Sequence, residues 1–360
     1  MDSSKIRTLD YLWSARPLLK YYYADEETTK IINHNIKWIS NKVEHPLFQF
    51  AYLMLPTLCN QRCRGCFTGQ DKNRLPPHLS GPFYSTDELH EILSFLRDHG
   101  VQAVVYGGGG ELFTWEGAFG FLELIVEHGL SPVVFTNGTL LSARDISRLN
   151  SLGTVLIISL RDTVEQYHNS EVQINGFRRT IATIERCMQE GMHYSNRLAV
   201  EVPVTKENED RIINDFLPIM RALHIVPMIE EYIQILSSHE EKSRCHTFAE
   251  ARTFFQRVRK ADYNLGLDYS LKFGQRMVGQ PQCRRPLYSF AVYPNGDIMD
   301  CPSHSTWYGN FKKISIHDVI YSALFRKALF DFKLCACSVF YTETDAEVPS
   351  YLPEHLEILR

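Results

Sequence analysis

Short apolar runs alternate with segments of helical periodicity from residue 48 to about residue 230. The run FQFAYLML has the length and the nearly continuous apolar character of a buried strand. Five further runs of this kind follow along the chain. The six predicted strands are 48–55, 101–106, 132–135, 154–159, 197–204 and 225–230.

The connections between these runs carry helix signals. Ser85 and Glu88 form a predicted capping box, in which each side chain accepts a hydrogen bond from the backbone of the other residue. Apolar residues then recur at the spacing of one helix face, and Gly100 supplies a stop. With 56–100 counted as one connection, five helical segments are predicted, and the other four are 116–128, 142–152, 175–190 and 208–223.

Alternation of strands and helices predicts an α/β fold with a parallel sheet and right-handed crossovers. Six such units fit a complete sheet or a partial barrel. In either case the active-site loops follow the carboxyl ends of the strands. The cysteine loop (residues 56–66), the glycine loop (residues 107–111) and Asn137 all occupy such positions, so we expect them to meet at one rim.

The alternation ends after about residue 236. A helix is predicted at 247–261, and the remaining chain is rich in turns and carries further cysteines. We therefore predict three parts of different character. They are an N-terminal helical extension at 1–47, the six strand–helix units at 48–235, and a smaller C-terminal α+β domain at 236–360.

Composition and charge exclude some classes of partner. The formal net charge of −4 and the lack of a run of five like charges argue against a nucleic-acid partner. The first residues lack the features of a signal peptide, and no apolar run approaches the ~18 residues that span a bilayer. We therefore expect a cytoplasmic protein without a membrane partner. In that compartment the nine cysteines are expected to be metal ligands or buried thiols rather than disulfides.

Three cysteines lie close together in the segment LPTLCNQRCRGCFTG, directly after the first predicted strand. Cys59, Cys63 and Cys66 have the spacing C-x3-C-x2-C and stand among polar residues. Three thiolates can bind three irons of a [4Fe–4S] cluster and leave the fourth iron open to another ligand. A zinc loop and three unrelated core cysteines are the alternatives. A zinc site needs a fourth ligand, however, and no histidine lies nearby in the sequence.

This cysteine spacing, followed by the aromatic Phe67, resembles the radical S-adenosylmethionine (SAM) superfamily over about residues 48–230. The resemblance implies a partial (β/α)6 barrel of the TIM type. It also implies SAM and a catalytic [4Fe–4S] cluster bound by Cys59, Cys63 and Cys66. In that family SAM chelates the open iron, and an electron from the cluster splits SAM to a 5′-deoxyadenosyl radical. A flavodoxin- or ferredoxin-type protein is the implied electron donor.

The segment YGGGGELF, after the second strand, resembles the Gly-Gly-Glu-Pro motif with which the family receives the SAM ammonium group. Gly109, Gly110 and Glu111 match that motif, and Leu112 stands where proline is usual. Glycine allows the backbone to approach a ligand closely, and a carboxylate suits a cation. The alternative is a glycine-rich turn with a surface glutamate.

Polar residues at the ends of the third and fourth strands are further candidates for SAM binding. Asn137 lies in FTNG, and Ser159 and Arg161 lie in ISLRD, where the family often has polar contacts to SAM. Asn208, after the fifth strand, is a weaker candidate of the same kind. The alternative for each residue is a role as a cap or turn residue.

The C-terminal part contains four more candidate ligands. A predicted hairpin with an Asn295-Gly296 turn separates the first two, and the last two form a C-x-C. This pattern resembles the SPASM and Twitch extensions of radical SAM enzymes, and it implies one auxiliary [4Fe–4S] cluster. The C-x-C departs from the family pattern, in which adjacent ligands are usually spaced more widely, and this leaves open whether both of its cysteines bind. A small zinc site is the alternative. The four residues are Cys283, Cys301, Cys335 and Cys337.

The resemblance predicts an enzyme that cleaves SAM reductively and abstracts hydrogen from a small molecule, such as a sugar, aminocyclitol or amino acid in specialised metabolism. Oxidation, epimerisation or cross-linking of a ribosomally made peptide or protein is one alternative, and a non-catalytic iron–sulfur or zinc protein is another. The sequence assigns no catalytic side chain. Tyr106, Glu230, Glu231 and His304 are candidates by position only, and Cys245 is a free thiol or an alternative ligand.

Overall fold

The computed structural model describes residues 26–66, 75, 79–231, 243–265, 285–302 and 306–330. Within these ranges the chain forms nine β-strands. They are β1 (Phe50–Leu53), β2 (Ala103–Tyr106), β3 (Ser131–Thr136), β4 (Val155–Ser159), β5 (Leu198–Val204), β6 (Val226–Glu231), β7 (Ser289–Val292), β8 (Asp297–Met299) and β9 (Trp307–Asn310).

Helices connect and cover these strands. They are α1 (Glu26–Ile39), α2 (Thr86–Asp98), α3 (Ala118–Glu127), α4 (Ala143–Ser151), α5 (Glu165–Val172), α6 (Phe177–Gln189), α7 (Glu209–Arg211), α8 (Leu217–Ala222), α9 (Phe248–Asn264), α10 (Ile316–Ile320) and α11 (Ala323–Phe330). A π-helical turn at Ile212–Phe216 joins α7 to α8. None of the described helices combines the length and the apolar character needed to cross a bilayer.

All strands belong to one open sheet with the order β6-β5-β4-β3-β2-β1-β7-β8-β9. The strands β1 to β6 pair only in parallel, as the alternation of strands and helices predicts. Because every parallel connection returns over the sheet, the carboxyl ends of these six strands lie along one rim. The predicted α/β fold with a partial barrel is therefore confirmed.

The sheet is buried on both faces, which explains the continuous apolar runs in the sequence. One face packs against the helices through residues such as Leu53, Val134 and Ile158. The opposite, concave face carries the alternate residues, among them Ile157 and Ala199. Successive side chains of a strand alternate between faces. The polar residues that follow at that spacing, Ser159 and Glu201, therefore lie on the concave face near the rim.

Local capping explains where several helices begin. The predicted capping box before α2 is present, with the Glu88 backbone N–H donating to Ser85 Oγ and the Ser85 backbone N–H donating to Glu88 Oε2. Equivalent boxes precede α4 and α9. Helix α5 was not predicted, because the segment EQYHNSEV lacks an amphipathic period.

The C-terminal strands continue the same sheet. Strand β7 pairs in parallel with β1, and β8 and β9 follow in antiparallel order. The predicted hairpin is confirmed between β7 and β8, and Gly296 has a φ of +93°, a conformation that favours glycine. Helix α1 connects the segment before β7 with the segment before β1. Its Asn35 Nδ2 donates to the carbonyls of Leu47 and Leu287 at 2.6 and 2.7 Å.

Candidate functional site

The cysteine loop follows β1 at the rim of the sheet and carries the partly exposed residues Cys59, Cys63 and Cys66, none of which forms a disulfide. The end of α5 supports it from the side. The backbone N–H groups of Arg62 and Arg64 donate to the carbonyls of Val172 and Glu171 at 3.2 and 2.8 Å. Helix α5, which the sequence did not predict, therefore helps to hold the three thiols in place.

Burial dominates the electrostatics of the thiols. It raises the pKa of Cys59 to about 12, with further contributions from Glu111, Cys63 and Cys66. Burial also raises the pKa of Cys63, although the charge and a side-chain hydrogen bond of Arg161 partly oppose this shift. Thiolates in such surroundings need a strong positive charge nearby, which metal ions supply.

The glycine loop approaches β1 closely. Gly108 and Gly110 have φ angles of +99° and +118°. A Cβ added at Gly109 would lie 2.7 Å from the carbonyl oxygen of Leu55, so the two backbones are in direct contact there. The carbonyl of Gly109 also accepts a hydrogen bond from Thr57 Oγ1 at 3.0 Å. These contacts fix the glycine loop against the start of the cysteine loop.

Glu111 is buried, with only 1% of its surface exposed, and its carboxylate connects the second and third strands. It accepts hydrogen bonds from Thr136 Oγ1 and from the Asn137 backbone N–H, both at 2.8 Å, and a longer one from the Phe113 backbone. Burial raises the pKa of Glu111 to about 7, and these three hydrogen bonds oppose the shift. The alternative of a surface glutamate is therefore wrong.

Asn137 joins the third strand to the cysteine loop. Its Nδ2 donates to Asn60 Oδ1 at 2.8 Å and lies 4.0 Å from Cys59 Sγ. Its Oδ1 accepts from the backbone and the hydroxyl of Thr139, and Asn60 Nδ2 in turn donates to that hydroxyl at 2.8 Å. The loops after β1, β2 and β3 are thus one hydrogen-bonded unit, as expected from their shared rim.

Arg161 lies beside Cys63 at the end of β4, with its side chain hydrogen-bonded to that thiol. Its backbone N–H donates to His168 Nδ1 at 3.2 Å. Burial and the charge of Arg161 lower the pKa of His168 to about 4, so that ring is neutral and its Nδ1 can accept. Asn208 holds the loop from the other side, where its Nδ2 lies 3.5 Å from the Arg161 carbonyl.

Glu201 is a site residue that the sequence reasoning missed. It lies on β5, is 7% exposed, and contributes to the raised pKa of Cys63. Ser159 is its register partner on β4. The signal that could have identified it is a charged residue inside the apolar run LAVEVPV. Glu230, a candidate by position, is half-buried at the end of β6 on the same concave face.

A cavity of about 230 Å³ lies next to Arg161, between the loops after β4 and β5. Ion pairs cross it, including Arg211 with Asp162 at 2.6 Å and Arg244 with Glu171 at 2.7 Å. Three carboxylates offset three of its four arginines, so we interpret it as an ion-pair network that supports the rim. Its charged lining residues are Arg64, Arg161, Asp162, Glu171, Glu207, Arg211 and Arg244.

The structure describes only part of the predicted auxiliary site. Cys301 is buried two residues after β8, and its carbonyl accepts a hydrogen bond from Tyr293 OH at 3.4 Å. Cys245 is partly exposed and forms no disulfide. The other predicted ligands and candidates lie outside the described residues, namely Cys283, Cys335, Cys337, His304, Phe67 and the side chain of Glu231.

The other position-based candidate, Tyr106, is buried and shares a hydrogen bond with Thr57. Within the described ranges, no three or more His, Cys, Asp or Glu side chains are arranged to hold a single metal ion. The donor set of the cysteine loop fits a cluster, because each thiolate of a [4Fe–4S] cluster binds a different iron. Three thiols on one loop offer one ligand for each of three irons.

Comparisons with known proteins agree with this geometry. Residues 54–216 match the family model described as the radical SAM superfamily. The fold resembles anSMEcpe with bound AdoMet and the Cp18Cys peptide, with a TM-score of 0.59 and 15% identity over 79% of this chain and 84% of that chain. It also resembles Streptococcus suis SuiB bound to its precursor peptide SuiA, with a TM-score of 0.62 and 15% identity over 87% and 75% of the two chains. No curated protein matches the sequence.

Proposed function

We propose that this chain, which carries a radical SAM domain over residues 54–216, cleaves SAM reductively and abstracts a hydrogen atom from a bound substrate. The domain is that of an enzyme of radical chemistry. The observation that carries the proposal is the hydrogen-bonded unit of three loops. In this unit Asn137 Nδ2 lies 4.0 Å from Cys59 Sγ, and the Asn137 backbone N–H donates a hydrogen bond to the buried Glu111.

Cys59, Cys63 and Cys66 would hold a [4Fe–4S] cluster that, when bound, supplies the electron for cleavage of SAM to a 5′-deoxyadenosyl radical. The protein contributes binding, orientation and the exclusion of water. Helix α5 fixes the cysteine loop, and Arg161 provides a positive charge beside Cys63 that offsets the burial of a thiolate.

Residues of the rim would orient SAM. Gly109 and Gly110 allow a close approach of the backbone, and the carboxylate of Glu111 attracts the ammonium group of SAM while it anchors the loop to β3. On the other side, Arg161 is a cation suited to the SAM carboxylate. Ser159 lies on the concave face next to it and would supply a hydroxyl contact.

The substrate is proposed to be a small polar molecule bound on the concave face. Glu201 and Glu230 place carboxylates there among apolar side chains, near the carboxyl ends of β5 and β6. Carboxylates in such a partly apolar site bind amino and hydroxyl groups well, as sugars, aminocyclitols and amino acids provide. A role in specialised metabolism and a cytoplasmic location remain predictions.

A peptide substrate is the second candidate. Two proteins of similar fold, anSMEcpe and SuiB, have structures with a bound peptide. A ribosomally made peptide modified by oxidation, epimerisation or cross-linking would then replace the small molecule. Tight binding of a peptide, with no response to sugars or free amino acids, would favour this alternative.

An auxiliary [4Fe–4S] cluster, bound by Cys301 with Cys283 and one or both of Cys335 and Cys337, is the further part of the proposal. Iron analysis after anaerobic reconstitution tests it. Two clusters give about eight irons per chain, and one cluster gives about four. We expect Cys301→Ala to lose about half of the iron, and an unchanged iron content would contradict the auxiliary site.

Anaerobic reconstitution followed by reduction with a flavodoxin- or ferredoxin-type donor tests the activity. We expect a brown protein that forms 5′-deoxyadenosine from SAM, and deuterium from a labelled substrate should appear in that product by mass spectrometry. Cys63→Ala should abolish product formation. Cys187→Ala is the matched control, because Cys187 is buried in the core between α6 and the sheet. A colourless protein with stoichiometric zinc would instead support the non-catalytic alternative.

A further inference from the structure

Gln61 lies between Cys59 and Cys63 in the sequence and is only 4% exposed. Its backbone N–H donates to Cys59 Sγ at 3.4 Å, and its side-chain Oε1 accepts from the Cys63 thiol at 3.5 Å. The remaining polar atom, Nε2, is buried and has no hydrogen-bond partner among the described residues. One residue thus contacts two candidate ligands, Cys59 through its backbone and Cys63 through its side chain, and its side chain retains an unused donor.

The unused donor indicates that this amide is suited to a different state of Cys63. A thiol donates its proton to an oxygen, but a thiolate that binds metal has no proton and only accepts. Rotation of the amide by half a turn exchanges its nitrogen and oxygen at almost the same positions. After that rotation Nε2 faces Cys63 Sγ, and a charge-assisted N–H···S hydrogen bond replaces the S–H···O contact.

The other end of the amide favours the rotated state as well. In the structure, before any rotation, Nε2 lies beside Gly176, and a Cβ added at Gly176 would be 3.3 Å from it. Gly176 precedes α6. The backbone N–H groups of Gly176 and Phe177 already donate to Asn169 Oδ1, but the start of a helix still carries partial positive charge. An oxygen is therefore better placed beside Gly176 than an N–H group, and the absence of a side chain at Gly176 leaves room for it.

We propose that Gln61 is a positioning residue for the catalytic cluster, with its side-chain N–H donating to the Cys63 thiolate and its backbone N–H to the Cys59 thiolate. This inference rests on the proposed function, because it requires both thiolates to bind the cluster. Hydrogen bonds to the sulfur ligands stabilise the reduced, more negative cluster and so raise its reduction potential. The polar residue in the C-x3-C spacing thereby makes the cluster easier to reduce.

The experiment is a redox titration of the reconstituted holoenzyme, monitored by electron paramagnetic resonance. The signal of the catalytic cluster is the one that changes when SAM is added. Gln61→Met keeps the length of the side chain but removes the donor, and Gln61→Glu keeps its shape but replaces the N–H group by an oxygen. We expect the midpoint potential of the catalytic cluster to be more negative in both variants than in the wild-type protein, with the larger shift for Gln61→Glu. Gln189→Met, at an exposed position at the end of α6, should leave the potential unchanged.

A midpoint potential of Gln61→Met equal to that of the wild-type protein would overturn the inference. The measurement remains valid if the variant binds less iron, because only molecules that contain the cluster give the signal. A purely structural role of Gln61 would lower iron loading without a change in potential. If the wild-type protein itself takes up no iron, the proposed function fails, and that outcome is distinct from an unchanged potential in a loaded variant.

Discussion

The buried carboxylate of Glu111 makes the stability of the protein depend on pH in an unusual direction. Burial raises its pKa from the ordinary value of 4.5 to about 7, so the folded protein holds a proton that the unfolded chain has released. The slope of unfolding free energy against pH is negative wherever the folded state binds more protons. This group therefore stabilises the fold at low pH, and the contribution is lost as the pH rises to about 7.

The size of the effect follows from the shift. Each unit of pKa difference corresponds to about 1.4 kcal/mol. Between pH 5.5 and pH 8 the folded carboxyl group releases its proton, whereas in the unfolded chain it is already ionised over most of that range. Glu111 alone should therefore reduce the unfolding free energy by about 2 kcal/mol between these two pH values.

Glu111→Gln isolates this contribution, because the amide has a similar shape and does not titrate. Urea unfolding of the metal-free chain at pH 5.5 and pH 8 should show the wild-type protein losing about 2 kcal/mol more than the variant. Glu127→Gln, at an exposed position at the end of α3, is the control and should behave as the wild type does. Equal pH dependence of the wild-type protein and Glu111→Gln would refute the reasoning.

Two further predictions concern packing and charge. Gly109→Ala would place a Cβ 2.7 Å from the backbone of Leu55, so we expect the unfolding free energy from thermal unfolding to fall by about 1–3 kcal/mol. The control is Gly120→Ala, whose added Cβ meets no atom within 4 Å and should not destabilise the protein. Equal destabilisation of both variants would contradict this prediction. Asp262→Ala would remove the carboxylate that accepts two hydrogen bonds from Arg221 in a buried pair between α8 and α9, with N···O distances of 2.9 and 3.0 Å. We expect that change to cost about 3–5 kcal/mol in urea unfolding, and a loss below about 1 kcal/mol would show that water reaches the pair.

The sequence predicted the parts of the fold that depend on local patterns. Apolar runs marked all six strands from β1 to β6, because each is buried on both faces. The capping box at Ser85 and the turn at Gly296 were predicted for the same reason, since a cap and a tight turn each depend on a few adjacent residues. The rim position of the cysteine loop, the glycine loop and Asn137 then followed from the topology of parallel sheets.

The sequence did not show contacts that depend on packing between distant segments. Helix α5 lacks an apolar stripe, so only its contacts with Arg62 and Arg64 reveal its place beside the cysteine loop. In the sequence Glu201 is one polar residue within a strand, and only the structure shows that it lies on the concave face near the rim. Gln61 occupies a spacer position of the motif, and only the folded structure shows that its side-chain N–H group is buried and unused.

The pairing of β7 with β1 bears on whether Cys301 belongs to the first metal site or to a second one. Strand β7 runs parallel to β1, so its carboxyl end points to the rim of the cysteine loop. The chain then reverses, and in β8 Met299 lies opposite Ala291, already one step back from that end. Cys301 follows β8 in a bend, and Tyr293 OH donates to its carbonyl. Strand β8 lies two strands from β1 on one side, whereas the cysteine loop contacts Asn137 after β3 and Arg161 after β4 on the other side. This arrangement across the sheet favours a second centre for Cys301 over a fourth ligand that would close the open iron.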